Sequence, residues 1–253
     1  KHKRILYTDH HPEGKEIPEE VLELRTTDQG YIPSARTVYE LVGGKEWLGA
    51  AGTITDSGNL YKENEEFLNA FLKKTKTTQK QFEENVVHPL SNTLIYFNDN
   101  FDKAFQLLDQ IKKPEDIKQL EKYSRPIEEE IQKYMKLSVE KSENIGEVNF
   151  YFLEPKYKVR GIVVTKISHA NPDKIFIFAN PSVKDKNKIG LSARNQNKRT
   201  NAREIIKAGI AGLKDAIGGG HTKAAGGQIR TKDLDKFKNN IRNFLNNTQD
   251  NNL

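Results

Sequence analysis

The sequence predicts an α/β protein of two domains joined by a polar helix, and three observations support this fold class. At about 150 residues per domain, a chain of 253 residues corresponds to one or two domains. Hydrophobic residues make up 35% of the chain and charged residues 30%, which is enough apolar material for packed cores. The apolar periodicity is mainly helical before residue 145 and mainly strand-like from residue 148.

The N-terminal part begins with a hydrophobic strand, at residues 3–8, that is typical of the middle of a sheet. A helix is expected from Ser34, a plausible N-cap, to the glycine pair after Val42, and a second helix over residues 45–54. Residues 65–112 are predicted to be mostly helical. Their expected core positions are Phe67, Phe71, Phe82, Leu90, Phe101, Phe105, Leu108 and Ile111.

A long polar helix follows from Pro114, and its single narrow apolar stripe is typical of a connector between domains. The C-terminal part then has β-branched and aromatic runs that predict strands. We expect the strands at 148–152, 160–167, 174–179, 188–193 and 228–230, and helices at about 201–213 and 232–245. The predicted domains are 1–112, a connector over 113–145, and 146–246, with a flexible tail at 247–253.

Composition excludes several classes of protein. No apolar run approaches the roughly 18 residues of a membrane helix, and no secretory signal follows the basic start. The absence of cysteine excludes disulfides and thiolate metal sites, and a cytoplasmic location is the default. Residues 146–253 have 20 Lys and Arg against 9 Asp and Glu, whereas residues 1–145 have 21 against 26. A net charge of +11 in the C-terminal part indicates a polyanionic partner or a lysine-rich solvated surface.

Two features of the N-terminal part suggest metal chemistry. Asp9, His10 and His11 follow the first strand, and sites in open α/β sheets form beyond the carboxyl ends of strands. Imidazole beside carboxylate suits manganese or magnesium, although Pro12 and Gly14 also fit an ordinary polar turn. Asp56, between small residues after a helix, is either a ligand or a capping residue.

Two features of the C-terminal part suggest anion binding. A glycine-rich stretch contains His221 and Lys223, and its exposed backbone amides could hold a phosphate. Its glycines are Gly218, Gly219, Gly220, Gly226 and Gly227. Ser192 and Arg194 lie on one face of a predicted strand, where the arginine is either a phosphate anchor or an ordinary surface residue.

Together, the order and spacing of these features resemble the DHH phosphoesterase superfamily, and within it the RecJ-like proteins of archaeal type. The sequence Asp9-His10-His11 matches the motif that names the superfamily, and Asp56 matches a later metal-binding motif. Residues 218–227 and the Ser192-x-Arg194 strand resemble the DHH-associated C-terminal domain.

The resemblance implies a parallel-sheet DHH domain and a smaller mixed α/β domain, with substrate held between them. It implies two divalent metal ions, Mn²⁺ before Mg²⁺, with His10 and Asp56 as ligands, Asp9 orienting the site and His11 at the scissile phosphate. In the second domain, the phosphate or terminal nucleotide would be held by Ser192, Arg194, Gly218, Gly219, Gly220, His221 and Lys223.

One part of the family pattern is missing from the sequence. The superfamily's first Asp-x-Asp and its bridging Asp precede the DHH motif, and only eight residues precede Asp9. We therefore expect an incomplete parallel sheet, a truncated or split chain, and no normal dimetal site in this chain alone.

Three functions stay open at this point. The first is a metal-dependent exonuclease on single-stranded DNA or RNA, with replication proteins as partners. The second is a phosphodiesterase for short oligonucleotides, bisphosphonucleotides or cyclic dinucleotides. The third is a nucleic-acid-binding replication scaffold without catalytic activity.

Overall fold

The structure is a computed structural model that describes residues 5–10, 17–18, 21–25, 30–98, 100–182, 185–197 and 200–250. Two compact units divide the chain between Arg125 and Pro126, inside a helix. We call residues 1–125 unit 1 and residues 126–253 unit 2. The predicted α/β class is confirmed, because both units combine helices with strands.

Unit 1 contains a two-stranded parallel sheet. Strand β1 (Ile5–Asp9) pairs with β2 (Val21–Arg25), and Asp9 lies opposite Arg25 at its end. Most of the apolar side chains of this small sheet are exposed, including Ile5 at 55% and Leu22 at 70%. The sheet therefore positions Asp9 and His10 but contributes little buried core.

Helices form the rest of unit 1. They are α1 (Ser34–Val42), α2 (Glu46–Thr55), α3 (Glu65–Thr75), α4 (Gln79–Phe82), a π-helical turn (Glu83–Val87), α5 (His88–Phe97) and α6 (Phe101–Asp109). Their buried core includes Trp47, Phe71, Phe82 and Leu120. The prediction that Phe101 and Phe105 are core residues is wrong, because these side chains are 59% and 67% exposed on the outer face of α6.

The connector is part 3₁₀-helix and part α-helix. A 3₁₀ segment (Pro114–Leu120) leads into α7 (Glu121–Lys141), which continues through Pro126. The helix predicted over 114–145 therefore begins as a 3₁₀-helix rather than an α-helix. It ends at Lys141, before strand β3 (Glu143–Ile145).

Unit 2 is built on a six-stranded mixed sheet with the strand order β3-β4-β5-β6-β8-β7. The remaining strands are β4 (Val148–Phe152), β5 (Ile175–Pro181), β6 (Lys188–Asn195), β7 (Ile217–Gly220) and β8 (Ala224–Arg230). Within the described part of this sheet, β4 and β5 pair in parallel and are joined by α8 (Arg160–Ala170), whereas the other neighbouring strands pair antiparallel. Helices α9 (Ala202–Ile210) and α10 (Leu234–Asp250) complete the unit.

The strand predicted at 160–167 is wrong, because these residues form α8. The β-branched run favours a strand by propensity, but its buried positions follow helical spacing. Val163, Val164, Ile167 and Ser168 form that buried face. Tertiary burial thus overrides local preference and places Arg160 at a helix start.

The glycine-rich stretch, residues 218–227, forms most of the hairpin β7–β8. The hairpin packs against α9, and α9 packs against α10, in a core that includes Ile206 and Phe237, both fully buried. Gly209 makes this packing possible, because a Cβ there would lie 2.4 Å from Phe237. Helix α10 continues to Asp250, beyond the end expected near 245.

Candidate functional site

In unit 1, the end of β1 and the end of α2 bring His10 and Asp56 together. His10 Nε2 lies 3.3 Å from Asp56 Oδ2. The His10 side chain is 8% exposed and the Asp56 side chain 47%, so the pair opens to solvent on the aspartate side. We call these two residues the His10–Asp56 pair.

The orientation of the His10 ring is fixed by its neighbours. Its Nδ1 lies 3.3 Å from Ser34 Oγ, and the Ser34 hydroxyl donates to the Thr8 carbonyl at 3.5 Å. Ser34 is the first residue of α1 rather than its cap, which is Pro33. In the tautomer in which Nδ1–H donates to Ser34, the lone pair of Nε2 faces Asp56 and could be shared with a cation bound between the two side chains.

Tyr31 packs beside this pair. Its ring meets the His10 ring edge-on, with centroids 5.0 Å apart, and its hydroxyl donates to the Asp56 carbonyl at 2.8 Å. Burial, followed by the Asp56 carboxylate and Tyr61, raises the pKa of Tyr31 to about 12. Tyr31 therefore stays protonated and keeps the end of α2 in place.

The donor set fits a divalent cation. Two neighbouring ligands of an octahedral ion at about 2.1 Å lie about 3 Å apart, which matches the separation in the His10–Asp56 pair. Among the described residues, no group of three or more His, Asp or Glu side chains is placed to hold a metal ion. His11, which is predicted to contact phosphate, lies outside the described residues.

Asp9 lies next to the pair but points its carboxylate at its own strand end. It accepts from the His10 backbone N–H at 2.8 Å and from the Tyr7 hydroxyl at 3.3 Å. These contacts fix the backbone from which the His10 ring extends, and the orienting role expected for Asp9 stays a prediction.

In unit 2, one face of β6 carries Gly190, Ser192 and Arg194, because alternate residues share a face. The register places Ser192 opposite Gly226 of β8, which is in turn opposite Gly219 of β7. Because both partners are glycines, neither β8 nor β7 places a side chain beside Ser192. This leaves an open backbone surface next to the two polar residues.

Arg160, which sequence reasoning missed, extends over this face from the start of α8. Its Nε donates to Ser192 Oγ at 2.9 Å, and its Nη1 donates to Asn180 Oδ1. Gly190 makes room for it, because a Cβ there would lie 2.3 Å from Arg160 Nη1. Arg160 was missed because residues 160–167 were expected to form a strand. The one signal for it in the sequence is its position just before an apolar run.

Arg194 is held in a similar way. Its Nε donates to Thr165 Oγ1 on α8 at 3.0 Å, and its Nη1 donates to the Ala193 carbonyl at 2.9 Å. A guanidinium has five N–H donors, and with partners among the described residues each arginine uses two of them, which leaves three.

The electrostatics of the two arginines are unusual for a protein surface. Burial lowers the pKa of both side chains, and the nearby Arg194 lowers that of Arg160 further. Within the part of the chain that the structure describes, neither guanidinium makes an ion pair with a carboxylate. Two partly desolvated like charges disfavour the ligand-free state, and a bound anion would relieve this cost.

Both arginines line an open cavity of about 430 Å³, together with Ser192, Gly220 and Gly226. We call these five residues the arginine cavity. A second cavity of about 320 Å³ shares Arg160 and Ser192 with it and is also lined by Lys158 and Asn180. The two cavities form one basic surface on unit 2.

The sequence of residues 149–247 matches the DHHA1 domain family. The matched residues all lie in unit 2, which is therefore similar to a DHHA1 domain. The whole chain is also similar in fold to RecJ from Thermus thermophilus in complex with Mn²⁺, with a TM-score of 0.66 and 18% identity. That match covers 95% of this chain and 41% of the RecJ chain.

Two further RecJ structures match the chain. The Mg²⁺ complex of the Thermus protein has a TM-score of 0.57 and 17% identity over 87% of this chain and 36% of that one. Exonuclease RecJ bound to manganese has a TM-score of 0.60 and 18% identity over 95% and 69%. A search of curated proteins gave no match. The predicted resemblance to RecJ-like proteins of the DHH superfamily is confirmed for the fold and for the DHHA1 domain.

Unit 2 brings some of the predicted binding residues together and leaves others apart. Ser192, Arg194 and Gly220 line the arginine cavity. Gly218 and Gly219 line a neighbouring cavity of about 520 Å³. His221 and Lys223 are exposed in the turn between β7 and β8 and do not line the arginine cavity.

Among the described residues, no helix is both long enough and apolar enough to span a membrane.

Proposed function

We propose that the chain is a metal-dependent phosphodiesterase of single-stranded nucleic acid in which unit 2 holds a phosphate group and unit 1 binds a divalent ion. The arginine cavity carries this proposal. Arg160 and Arg194 line one cavity inside a DHHA1 domain and have no carboxylate partner among the described residues.

The chemistry of this cavity suits a phosphate or phosphodiester. Three unused N–H donors on each guanidinium can bind phosphate oxygens in pairs, and the Ser192 hydroxyl can add a further donor. The glycine backbone at Gly226 allows an anion to approach the strands closely. The adjoining cavity with Lys158 can take the next unit of a strand, and the net charge of +11 favours its approach.

In unit 1, we propose that His10 and Asp56 hold a divalent ion, Mn²⁺ before Mg²⁺. When bound there, such an ion would supply the Lewis-acid chemistry that activates water and stabilises charge on a phosphodiester. In the tautomer in which His10 Nδ1–H donates to Ser34, Nε2 would bind the ion, and Asp9 fixes the backbone of His10. His11 is proposed to contact the scissile phosphate.

Two ligands are fewer than a hydrolytic metal centre uses, so further carboxylates must complete the site. We propose that the 253-residue chain binds single-stranded nucleic acid but does not turn it over at a normal rate. The chain spans about two fifths of the Thermus RecJ that it matches. A replication complex in the cytoplasm is the proposed setting.

The first test separates metal binding from turnover. Titration with Mn²⁺, followed by electron paramagnetic resonance, should show binding that His10→Ala or Asp56→Asn weakens at least tenfold. His169→Ala, a change at an exposed histidine on α8, should leave it unchanged. Equal Mn²⁺ affinity in wild type and His10→Ala would contradict the proposed metal role.

The second test measures hydrolysis of 5′-phosphorylated oligonucleotides from 2 to 20 units, as DNA and RNA. We expect Mn²⁺-dependent turnover when a segment or partner chain that supplies further carboxylates is added, and its loss in His10→Ala and Arg194→Met. Preference for the shortest oligomers would favour the small-substrate alternative. Tight binding without turnover under the same conditions would favour the non-catalytic scaffold.

A further inference from the structure

Beside the His10–Asp56 pair, unit 1 carries two stacked aromatic rings. The rings of Tyr31 and Tyr61 are 4.2 Å apart between centroids and tilted by only 18°. We call them the tyrosine stack. Tyr31 covers one face of the Tyr61 ring, and Tyr61 is 43% exposed, so the exposed area lies on the opposite face and the ring edge.

The tyrosine stack is joined firmly to the His10–Asp56 pair. Tyr31 touches both members of that pair, through its ring on His10 and its hydroxyl on the Asp56 carbonyl. Tyr61 lies five residues after Asp56, and its backbone N–H donates to the Gly58 carbonyl at 3.0 Å in a tight 3₁₀ turn. The exposed ring therefore sits at a defined place relative to the pair.

A buried asparagine holds this arrangement rigid. Asn64 is fully buried, and its Nδ2 donates to the Tyr31 carbonyl at 2.8 Å and to the Gly58 carbonyl at 3.0 Å. Arg36 Nη1 donates to Asn64 Oδ1 at 3.1 Å. One side chain thus ties the backbone that carries Tyr31 to the turn that carries Tyr61. A binding surface that is rigid in advance loses little entropy when a ligand binds.

We propose that a nucleobase of a single-stranded substrate stacks on the exposed face of Tyr61, next to the His10–Asp56 pair. An aromatic face takes any base, because every base has a π-face, so this contact holds the strand without reading its sequence. The role extends the proposed function and rests on it. It assigns to unit 1 a base contact that complements the phosphate contacts of unit 2.

The test uses the whole chain and a six-unit oligothymidylate that carries 2-aminopurine at each position in turn, with EDTA present to prevent hydrolysis. Stacking quenches 2-aminopurine fluorescence. We expect one position to be quenched on binding, and Tyr61→Leu to abolish that quenching and weaken binding about 5- to 100-fold, whereas Tyr61→Phe stays within about twofold of wild type.

Two controls distinguish stacking from a structural effect. Tyr96→Leu removes another partly exposed tyrosine of unit 1, on α5, and should leave quenching unchanged. An abasic unit at the quenched position should weaken wild-type binding as much as Tyr61→Leu does and add nothing in that variant. Additive losses, or quenching that persists in Tyr61→Leu, would overturn the stacking proposal while leaving the proposed function standing. No oligonucleotide binding by the wild type would overturn both.

Discussion

Unit 2 and unit 1 differ in how completely each one buries its apolar residues and assembles its site. In unit 2, a six-stranded sheet packs on α9 and α10, and the arginine cavity collects its groups from three strands and α8. In unit 1, a two-stranded sheet leaves Ile5, Leu6 and Leu22 exposed, and the candidate site among described residues is the His10–Asp56 pair with its tyrosines.

The comparison shows that the two candidate sites are held in place by different kinds of contact. The arginine cavity is positioned by sheet register and by close packing at Gly190, so each of its groups depends on several strands. The His10–Asp56 pair is instead positioned by polar bonds through Ser34, Tyr31 and Asn64. Changes in core packing should therefore damage unit 2 and its cavity most.

The largest expected effect compares two phenylalanines. Phe237 is fully buried in unit 2 and Phe105 is 67% exposed in unit 1. Phe237→Ala should lower the free energy of unfolding by about 3–5 kcal/mol, whereas Phe105→Ala should change it by less than about 0.5 kcal/mol. Urea denaturation measures both, and similar losses would show that the outer face of α6 is covered.

The next effect concerns the glycine hairpin. Gly220 has a φ of +137°, and a Cβ there would lie 2.5 Å from the Ala224 carbonyl oxygen. Gly220→Ala should cost about 1–3 kcal/mol and weaken anion binding, because the strained residue lines the arginine cavity. Gly219→Ala is the matched control, since its Cβ would meet nothing within 4 Å. Equal stability of the two variants would contradict the hairpin geometry.

A smaller effect depends on pH. The Tyr134 hydroxyl donates to the Glu154 carbonyl at 2.6 Å, and burial, followed by the nearby Glu130, raises the pKa of Tyr134 above 10. A raised pKa in the folded state gives stability that is complete below pH 10 and declines as pH rises through that pKa. Tyr134→Phe should lose about 1 kcal/mol at neutral pH and decline less steeply above about pH 10. Thermal melts across the alkaline range test this, and an unchanged slope would contradict it.

The smallest effect compares two kinds of arginine in unit 2. Arg230 donates to Asp233 at 2.7 Å and lies 3.6 Å from Asp215, whereas Arg160 has no carboxylate partner among the described residues. Arg230→Met should lower stability only slightly, because ion pairs open to solvent contribute little. Arg160→Met should leave the stability of the ligand-free protein unchanged or raise it, because it removes a repulsive, desolvated charge. A clear loss in Arg160→Met would make its role structural.

The sequence predicts an element correctly where the spacing of its apolar residues matches the residues that the fold buries. Strand β4 and helix α9 were predicted correctly. The start of α8 was not, because propensity favoured a strand while packing on the sheet imposed a helix. Arg160 was missed for the same reason, since its place over Gly190 depends on contacts between β6 and α8 that are distant in sequence. The tyrosine stack likewise depends on Asn64. Its side chain donates hydrogen bonds to the carbonyls of Tyr31 and Gly58, which lie 33 and 6 residues away along the chain.

The most direct test of the account is isothermal titration calorimetry with a 5′-phosphorylated dinucleotide, without divalent ions. Wild type and Arg230→Met should bind it equally, and Arg160→Met and Arg194→Met should each bind about 10- to 100-fold more weakly, with stability at least equal to that of wild type. Equal binding by all four proteins would contradict the assignment of the arginine cavity as the phosphate site.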